Sequence, residues 1–258
     1  MSISLLQIER EPGRDGAFHM RRDAELLADA ARHATATLRL YTWSPPCISL
    51  GYMQQAADLL DLGACNDAGI DVVRRPTGGR AVLHWEEITY AFAAPVDATR
   101  FGATLVETQH LIGRCLAAGL RRLGVETALS RPALDPERRM LRAPCFASPG
   151  RAELMVHGRK LVGSAQRRTD RAFLQHGSLL VGPAHARVME FLLHRESLSL
   201  ATARRRLERD SIDLAEVLGK TPDFDPLADA LTAGFVATLG LEPVAISPVM
   251  EPAPGPCA

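Results

Sequence analysis

Apolar residues recur along this chain with two periods, and each period predicts its own kind of element. Ile3–Ile8 is a short apolar run and predicts a strand. Between Ala17 and His33 the apolar positions Met20, Ala24, Leu27, Ala28 and Ala31 fall at helical spacing. Leu38–Trp43 alternates as a strand does and stops at Pro45-Pro46. Ala57–Ala68 predicts a helix closed by Gly69, because glycine tolerates the left-handed conformation of a helix end. Ile70–Arg75 and Arg80–His84 predict strands on either side of Pro76-Thr77-Gly78-Gly79. Ile88, Tyr90, Phe92 and Ala94 mark one face of a further strand, ended by Pro95. An amphipathic stripe from Leu105 to Leu123 predicts a long helix ended by Gly124.

Residues 130–144 are polar and rich in proline and arginine, the composition of a loop. Three strands follow in prediction: Ala152–His157, Leu161–Arg167 and Phe173–Val181. The pattern then turns helical, with Asp225 as an N-cap, Pro226 as a first helical residue and Gly240 as a stop. Strands arrive in groups with few helices between them. That order predicts an α+β fold with a mixed or antiparallel sheet rather than a doubly wound parallel one.

A chain of 258 residues that is 47% hydrophobic has enough apolar material for one large domain, or a domain with a small appendage. The expected division is a catalytic domain over 1–195, a helical segment over 196–250 and a disordered tail over 251–258. Net charge is zero, so no long-range field favours nucleic acid or an anionic membrane. No run reaches the length of a membrane span. The opening MSISLLQIEREPGRDG lacks the layout of a signal peptide, so the cytoplasm is the expected compartment. Five cysteines, an odd count without C-x-x-C, predict neither a disulfide framework nor a metal site.

Four segments carry candidate chemistry. In Arg74-Arg75-Pro76-Thr77-Gly78-Gly79-Arg80-Ala81-Val82-Leu83-His84, two glycines let backbone approach a ligand closely, and arginines and a histidine surround them. The plainer reading is a hairpin turn with exposed arginines. In Gly158-Arg159-Lys160-Leu161-Val162-Gly163-Ser164-Ala165-Gln166-Arg167, a turn at Gly158 starts a strand with Lys160, and small residues leave room beside it. Of 30 basic residues only Lys160 and Lys220 are lysines. Arginine supplies no compact, tunable ammonium, so a lysine retained inside a dense motif points to use. In Ala143-Pro144-Cys145-Phe146 a thiol follows a polar loop, whereas Cys65 and Cys115 sit in helical patterns. A nearby ammonium lowers a thiol's pKa and makes it a nucleophile. Gln175-His176-Gly177-Ser178 offers a histidine that is either a core hydrogen-bonding group or a substrate contact.

Together these segments resemble the lipoate–protein ligase and octanoyltransferase family, which shares its catalytic fold with biotin–protein ligases. Gly16–Leu27 is similar to its N-terminal helix and Trp43–Gln54 to its substrate wall. Arg74–His84, Gly158–Arg167 and Leu174–Leu179 match its RRxTGG, GRK and HG segments in order. The resemblance covers residues 3–195 and implies a mixed or antiparallel sheet flanked by helices, of the class II synthetase-like kind. It implies Cys145 and Lys160 as catalytic residues. It implies Arg74, Arg75, Gly78, Gly79, Arg80, His84, Gly163, Ser164, Ala165, Gln175, His176 and Gly177 as substrate-binding.

The family holds two chemistries: ATP-dependent ligases, and cysteine-dependent transferases that use octanoyl-acyl carrier protein. Arg80 stands where ligases carry a third glycine, and Cys145 stands where the transferases have their nucleophile. The chain also ends without the C-terminal extension of long ligases. The transferase is therefore expected, with a lipoyl domain or a glycine-cleavage H-type carrier as acceptor. No cofactor, nucleic acid or membrane is expected, and a monomer is. ATP and Mg enter only if the chain is a ligase. Arg138, Arg139 and Arg142 would guide acidic carriers, and Leu50, Val82 and Leu83 would line the acyl channel. An amidotransferase working between two lipoyl domains would use the same cysteine logic. A silent module that only binds lipoylated domains would have no need of Cys145 or Lys160. Trp85 stands where the resemblance implies an aspartate at the pocket mouth, and no aromatic follows the cysteine in Ser148-Pro149-Gly150-Arg151.

Overall fold

The structure, a computed structural model, describes residues 3–130, 153–193 and 200–246. Cys145, Arg138, Arg139, Arg142, Ser148 and the tail over 251–258 lie outside the described residues. Eleven strands occur in those segments: β1 (Leu5–Arg14), β2 (Thr37–Trp43), β3 (Cys47–Leu50), β4 (Asp71–Arg74), β5 (Val82–His84), β6 (Glu87–Pro95), β7 (Ala128–Leu129), β8 (Leu154–Val156), β9 (Arg159–Arg168), β10 (Ala172–Leu180) and β11 (Glu242–Ala245). The helices are α1 (Gly16–His33), α2 (Ala56–Leu59), α3 (Leu62–Asp67), α4 (Ala98–Phe101), α5 (Leu105–Arg121), α6 (Leu200–Asp210), α7 (Leu214–Leu218) and α8 (Phe224–Leu239). A 3-10 helix spans Pro183–Glu190.

One sheet runs β11-β1-β2-β6-β10-β9-β8-β7, and a small sheet runs β4-β3-β5. β1 is parallel to both β11 and β2, and the pairings from β2 through β7 are antiparallel. The large sheet is therefore mixed, as the grouping of strands predicts. One face of it carries Phe92, Phe173, Leu179 and Tyr90, packed with α5 and α8. The opposite face carries Ala91, Ala93 and Leu174 beneath Leu26 and Ala30 of α1. The small sheet has its own core around Ile48, Leu50, Leu83 and Phe191.

Several elements depart from the pattern reading. The helix predicted over Ala57–Ala68 is two short helices. Between them Leu60 bridges to Leu192, and the Asp61 amide donates to Phe191 O at 2.9 Å. Asp61 then caps α3 by accepting from Ala64 N at 3.0 Å. The N-cap of α8 is Asp223, two residues before the predicted Asp225. Pro226 falls within the first turn, where its missing N–H has no helical partner to lose.

The segment expected to be helical also adds β11 to the sheet edge. Every residue of β11 is exposed and Pro243 interrupts its donors, so no apolar alternation marks it. α8 packs backbone to backbone on α5, since a Cβ on Gly234 would lie 2.3 Å from Gly119 N. Among the described residues no helix is long and apolar enough to cross a membrane.

Candidate active site

A cleft with about 370 Å³ of empty space lies where the small sheet meets the large one. Its walls come from Met20 of α1, Tyr41 and Trp43 of β2, Ser49 of β3 and Val82 and His84 of β5. Arg75, Thr89, residues 163–165 of β9 and residues 176–178 of β10 complete it.

The Arg74–His84 segment is not a hairpin. β4 and β5 lie on opposite sides of β3, so the glycine loop crosses over the end of β3. Arg75 holds the loop from within. It donates to Ser49 O at 2.9 Å, to Gly78 O at 2.9 Å and to Arg80 O at 2.7 Å. Gly79 has φ +100°, and a Cβ on Gly51 would fall 2.0 Å from Gly79 O. Both positions therefore need glycine. Gly78 faces open space.

Two chains of carboxylate, imidazole and hydroxyl flank the cleft. In the first, His84 Nδ1 faces Glu87 Oε1 at 2.8 Å and Nε2 faces Ser49 Oγ at 2.7 Å. Trp43 stacks on His84 with centroids 4.0 Å apart, and its Nε1 donates to Thr89 Oγ1 at 2.7 Å. In the second, His176 Nδ1 faces Asp23 Oδ2 at 2.8 Å and Nε2 faces Thr77 Oγ1 at 2.6 Å.

Behind Asp23 is a buried charge cluster. Arg39, fully buried, donates to Asp23 Oδ1 at 3.1 Å, to Glu11 Oε2 at 2.5 Å and to His19 Nδ1 at 2.7 Å. Tyr41 OH donates to Asp23 Oδ2 at 3.2 Å, and Arg22 pairs with Glu9. Burial alone would raise the Asp23 carboxyl, but His176 and then Arg39 hold it below its usual value. Burial, then the charge of Arg39, lowers His19 to about 3.

The backbone of β9 and β10 forms the remaining wall. A Cβ on Gly177 would lie 2.4 Å from Gly163 O and 2.8 Å from Tyr90 Cε1. Gly177→Ala therefore forces the two strands apart beneath His176. Its expected cost is about 1–3 kcal/mol, visible as a lower Tm in a thermal melt; an unchanged Tm would contradict the close packing.

Lys160 is buried at 1% exposure and is not on the cleft wall. Its Nζ pairs with Glu153 Oε1 at 2.5 Å. Gln175 also turns away, donating to Tyr90 OH at 3.0 Å on the α5–α8 face. Burial pushes the Tyr90 phenol up to about 12. Arg74 is exposed and donates to Tyr52 O at 2.8 Å, while Arg80 offers its carbonyl to Arg75. Of the channel residues read from sequence, Val82 lines the cleft, whereas Leu50 and Leu83 pack in the small-sheet core. Trp85 packs against that same core with the Arg187 guanidinium 4.5 Å from its ring centre, away from the cleft wall.

The sequence reading brings together Arg75, His84, Gly163, Ser164, Ala165, His176 and Gly177. It names none of Asp23, Ser49, Trp43, Thr77, Glu87 and Glu153 as a site residue, although Trp43 and Ser49 fall in the segment read as the substrate wall and Thr77 in the glycine loop. Arg39 and Asp23 carried a readable signal. One is a charge inside the apolar run Leu38–Tyr41, and the other is an acid among the helix positions facing the sheet.

Burial pushes the thiols of Cys47, Cys65 and Cys115 up, Cys115 to about 12. None of the three is suited to act as a thiolate nucleophile.

A mixed sheet covered by helices, with a glycine loop beside a largely apolar cleft, defines the class of enzyme to which this chain belongs. Residues 15–236 match the family model described as the lipoyl protein ligase A/B catalytic domain, and the chain belongs to that family. It is 36% identical over 235 residues to octanoyltransferase LipM of Kyrpidia tusciae, covering 88% of this chain and 85% of that one. With octanoyltransferase LipM of Symbiobacterium thermophilum the identity is 37% over 222 residues, covering 85% and 80%. Among solved structures, a bi-partite lipoate protein ligase of Thermoplasma acidophilum, described with its E2 lipoyl domain, superposes with TM-score 0.72 at 19% identity, over 97% of this chain and 89% of that one. A lipoate-protein ligase A bound with ATP gives TM-score 0.70 at 20% identity, over 97% and 90%. These two likenesses speak to the fold.

Proposed function

We propose that this enzyme transfers an octanoyl group, for the making of protein-bound lipoate, from octanoyl-acyl carrier protein to a lysine of a lipoyl domain or a glycine-cleavage H-type carrier. The observation that carries this reading is the match along most of both chains to curated octanoyltransferases. The cleft supports it. Met20, Trp43, Val82 and Ala165 give it apolar walls. Burying about seven carbons at ~0.8 kcal/mol each supplies on the order of 5 kcal/mol for a medium chain.

In this reading Cys145 attacks the donor thioester and Lys160 supplies positive charge as the carbonyl oxygen becomes an oxyanion. The loop amides near Gly78 and Gly79 add donors. The acceptor lysine then displaces the thiolate. Exchange of a thioester for an amide runs downhill, so ATP is not consumed.

The test is the intact mass of the protein after incubation with octanoyl-acyl carrier protein and no ATP. A single octanoyl adduct that hydroxylamine removes is the expected result. No adduct, with acceptor modification only when ATP and free octanoate or lipoate are present, would make it a ligase. An adduct formed only from an octanoylated lipoyl domain would make it an amidotransferase.

A further inference from the structure

We infer that Tyr52, Met53, Arg74 and Arg167 form the surface on which the acceptor carrier domain seats, through an acidic and apolar face around its target lysine. This rests on the acceptor of the reading above, which the transferase, ligase and amidotransferase routes share.

Met53 at 84% and Tyr52 at 57% are the two most exposed large apolar side chains among the described residues, and they are neighbours in the chain. Single exposed apolar residues are ordinary on a protein surface, whereas an adjoining pair held out into water points to a contact. Hydrogen bonds hold this pair in place. Tyr52 N donates to Thr77 O at 2.9 Å. Arg74 donates to Tyr52 O at 2.8 Å and to Gln55 Oε1 at 3.2 Å. Gly51 N donates to Gln54 Oε1 at 3.0 Å and closes the same turn. A surface already fixed loses little freedom on binding.

Two exposed guanidinium groups rim the pair. That of Arg167 lies 5.8 Å from the Tyr52 ring centre and donates to Pro76 O at 3.2 Å. That of Arg74 sits on the Tyr52 carbonyl. Both spend their donors on neutral oxygens, and among the described residues neither pairs with a carboxylate. Arg159, Arg187 and Arg204, elsewhere on the surface, each face a glutamate. Segments 51–56, 74–80 and 163–168 hold no aspartate or glutamate. In a chain of zero net charge they make a local positive patch, whose complement is an acidic surface. Tyrosine, methionine and arginine are also the residue types that protein interfaces favour.

The patch borders the cleft. Gly163, Ala165 and Arg167 share one face of β9, and exposure along it rises from buried Gly163 through half-buried Ala165 to exposed Arg167. Gly163 and Ala165 line the cleft, so its β9 wall comes out to solvent at Arg167. Arg75, which also lines the cleft, directly follows Arg74. Reach decides which carrier seats there. A lysine holds its amine on a four-carbon stem, so the domain that presents it must bring its own surface to the rim. A donor whose acyl group hangs on a long thioester arm stands further off.

The test is acylation of an unmodified lipoyl domain by the full chain, with kcat and KM for that domain measured at saturating donor. Met53→Glu and Arg167→Glu each place a negative charge in the patch. In each, kcat/KM for the domain is expected to fall on the order of tenfold, mostly through KM, the size of effect an interface hot spot carries. Loading from octanoyl-acyl carrier protein, followed by intact mass, is expected to keep the wild-type rate. Release of the adduct by hydroxylamine, which needs no docking, should also be unchanged. Added salt should weaken the wild type more than Arg167→Glu. Arg205→Glu, the same charge change at an exposed position of α6, should leave kcat/KM as it was.

Unchanged kcat/KM in both patch variants overturns the docking surface. Slower loading with the acceptor step intact overturns it as well and gives the patch to the donor. An equal fall in Arg205→Glu overturns it, because net charge then accounts for the effect. Loss of hydroxylamine release does so too, because the cleft itself is then damaged. A wild-type protein that forms no adduct but acylates the domain with ATP and free octanoate ends the transferase reading alone. The same kcat/KM comparison, run with ATP, then decides the patch.

Discussion

Lys160→Met is expected to abolish measurable acyl transfer and to destabilise the fold by about 3–5 kcal/mol, the cost of leaving one half of a buried ion pair. Lys160 is 1% exposed and Glu153, its partner at 2.5 Å, is 5% exposed. Taking the ammonium away leaves a buried carboxylate without the cation that faces it. Two effects are therefore mixed in the single variant, and a double variant separates them. Lys160→Met with Glu153→Gln removes both charges, so most of the stability returns in a denaturant melt. Transfer does not return, because the positive charge that would meet the developing oxyanion is still missing. An active double variant would sink the catalytic assignment of Lys160 and leave it a purely structural cation. A stable single variant would mean that the ion pair with Lys160 contributes little to holding the Glu153 charge.

Much of the fold was legible because the apolar periods are strong: in β6 and β10 large apolar side chains on the α5–α8 face alternate with smaller or polar ones on the α1 face. α1, β2, β6, β10 and α5 each keep a clear stripe or alternation, and their ends fall close to the pattern's own stops. The pattern failed where tertiary contacts decide. Nothing local tells that Leu60 pairs with Leu192 and breaks a helix. β11 pairs only at the edge and buries no side chain, so it has no apolar face to show. The placing of β3 between β4 and β5 is a matter of topology, and a glycine turn flanked by strands reads as a hairpin until the sheet order is known.

The site divides the same way. Glycines required by close approach, such as Gly177, and the Arg75 clamp sit in dense motifs and could be read. Gln175 sits in the same motif yet faces the opposite side, because neighbours in a strand alternate. Asp23 and Arg39 belong to ordinary stretches of helix and strand. Their role comes from α1 lying across β2 and β10, which brings the Asp23 carboxyl to His176 from 153 positions away in sequence. A charge in an apolar strand was the available sign.

That buried cluster makes the protein lose stability in acid at a higher pH than carboxylates alone would set. The fold lowers His19 from 6.5 to about 3. Its neutral form is the native one, with Nδ1 accepting from Arg39 and Nε2–H donating to Thr42 O. A group whose folded pKa is depressed contributes fully above its unfolded value, and the contribution drains as pH falls toward the folded value. At about 1.4 kcal/mol per unit, His19 contributes on the order of 4–5 kcal/mol that is lost between pH 6.5 and about 3. Asp23, also held low, acts with the same sign further down. The expected result in urea melts is a steady fall in stability from pH 6.5 downward. His19→Gln accepts from Arg39 and donates to Thr42 without titrating, so its stability should stay nearly flat until the carboxylates protonate. If the variant follows the wild-type slope between pH 6.5 and 5, the acid sensitivity does not reside in His19 and the carboxylates alone must account for it.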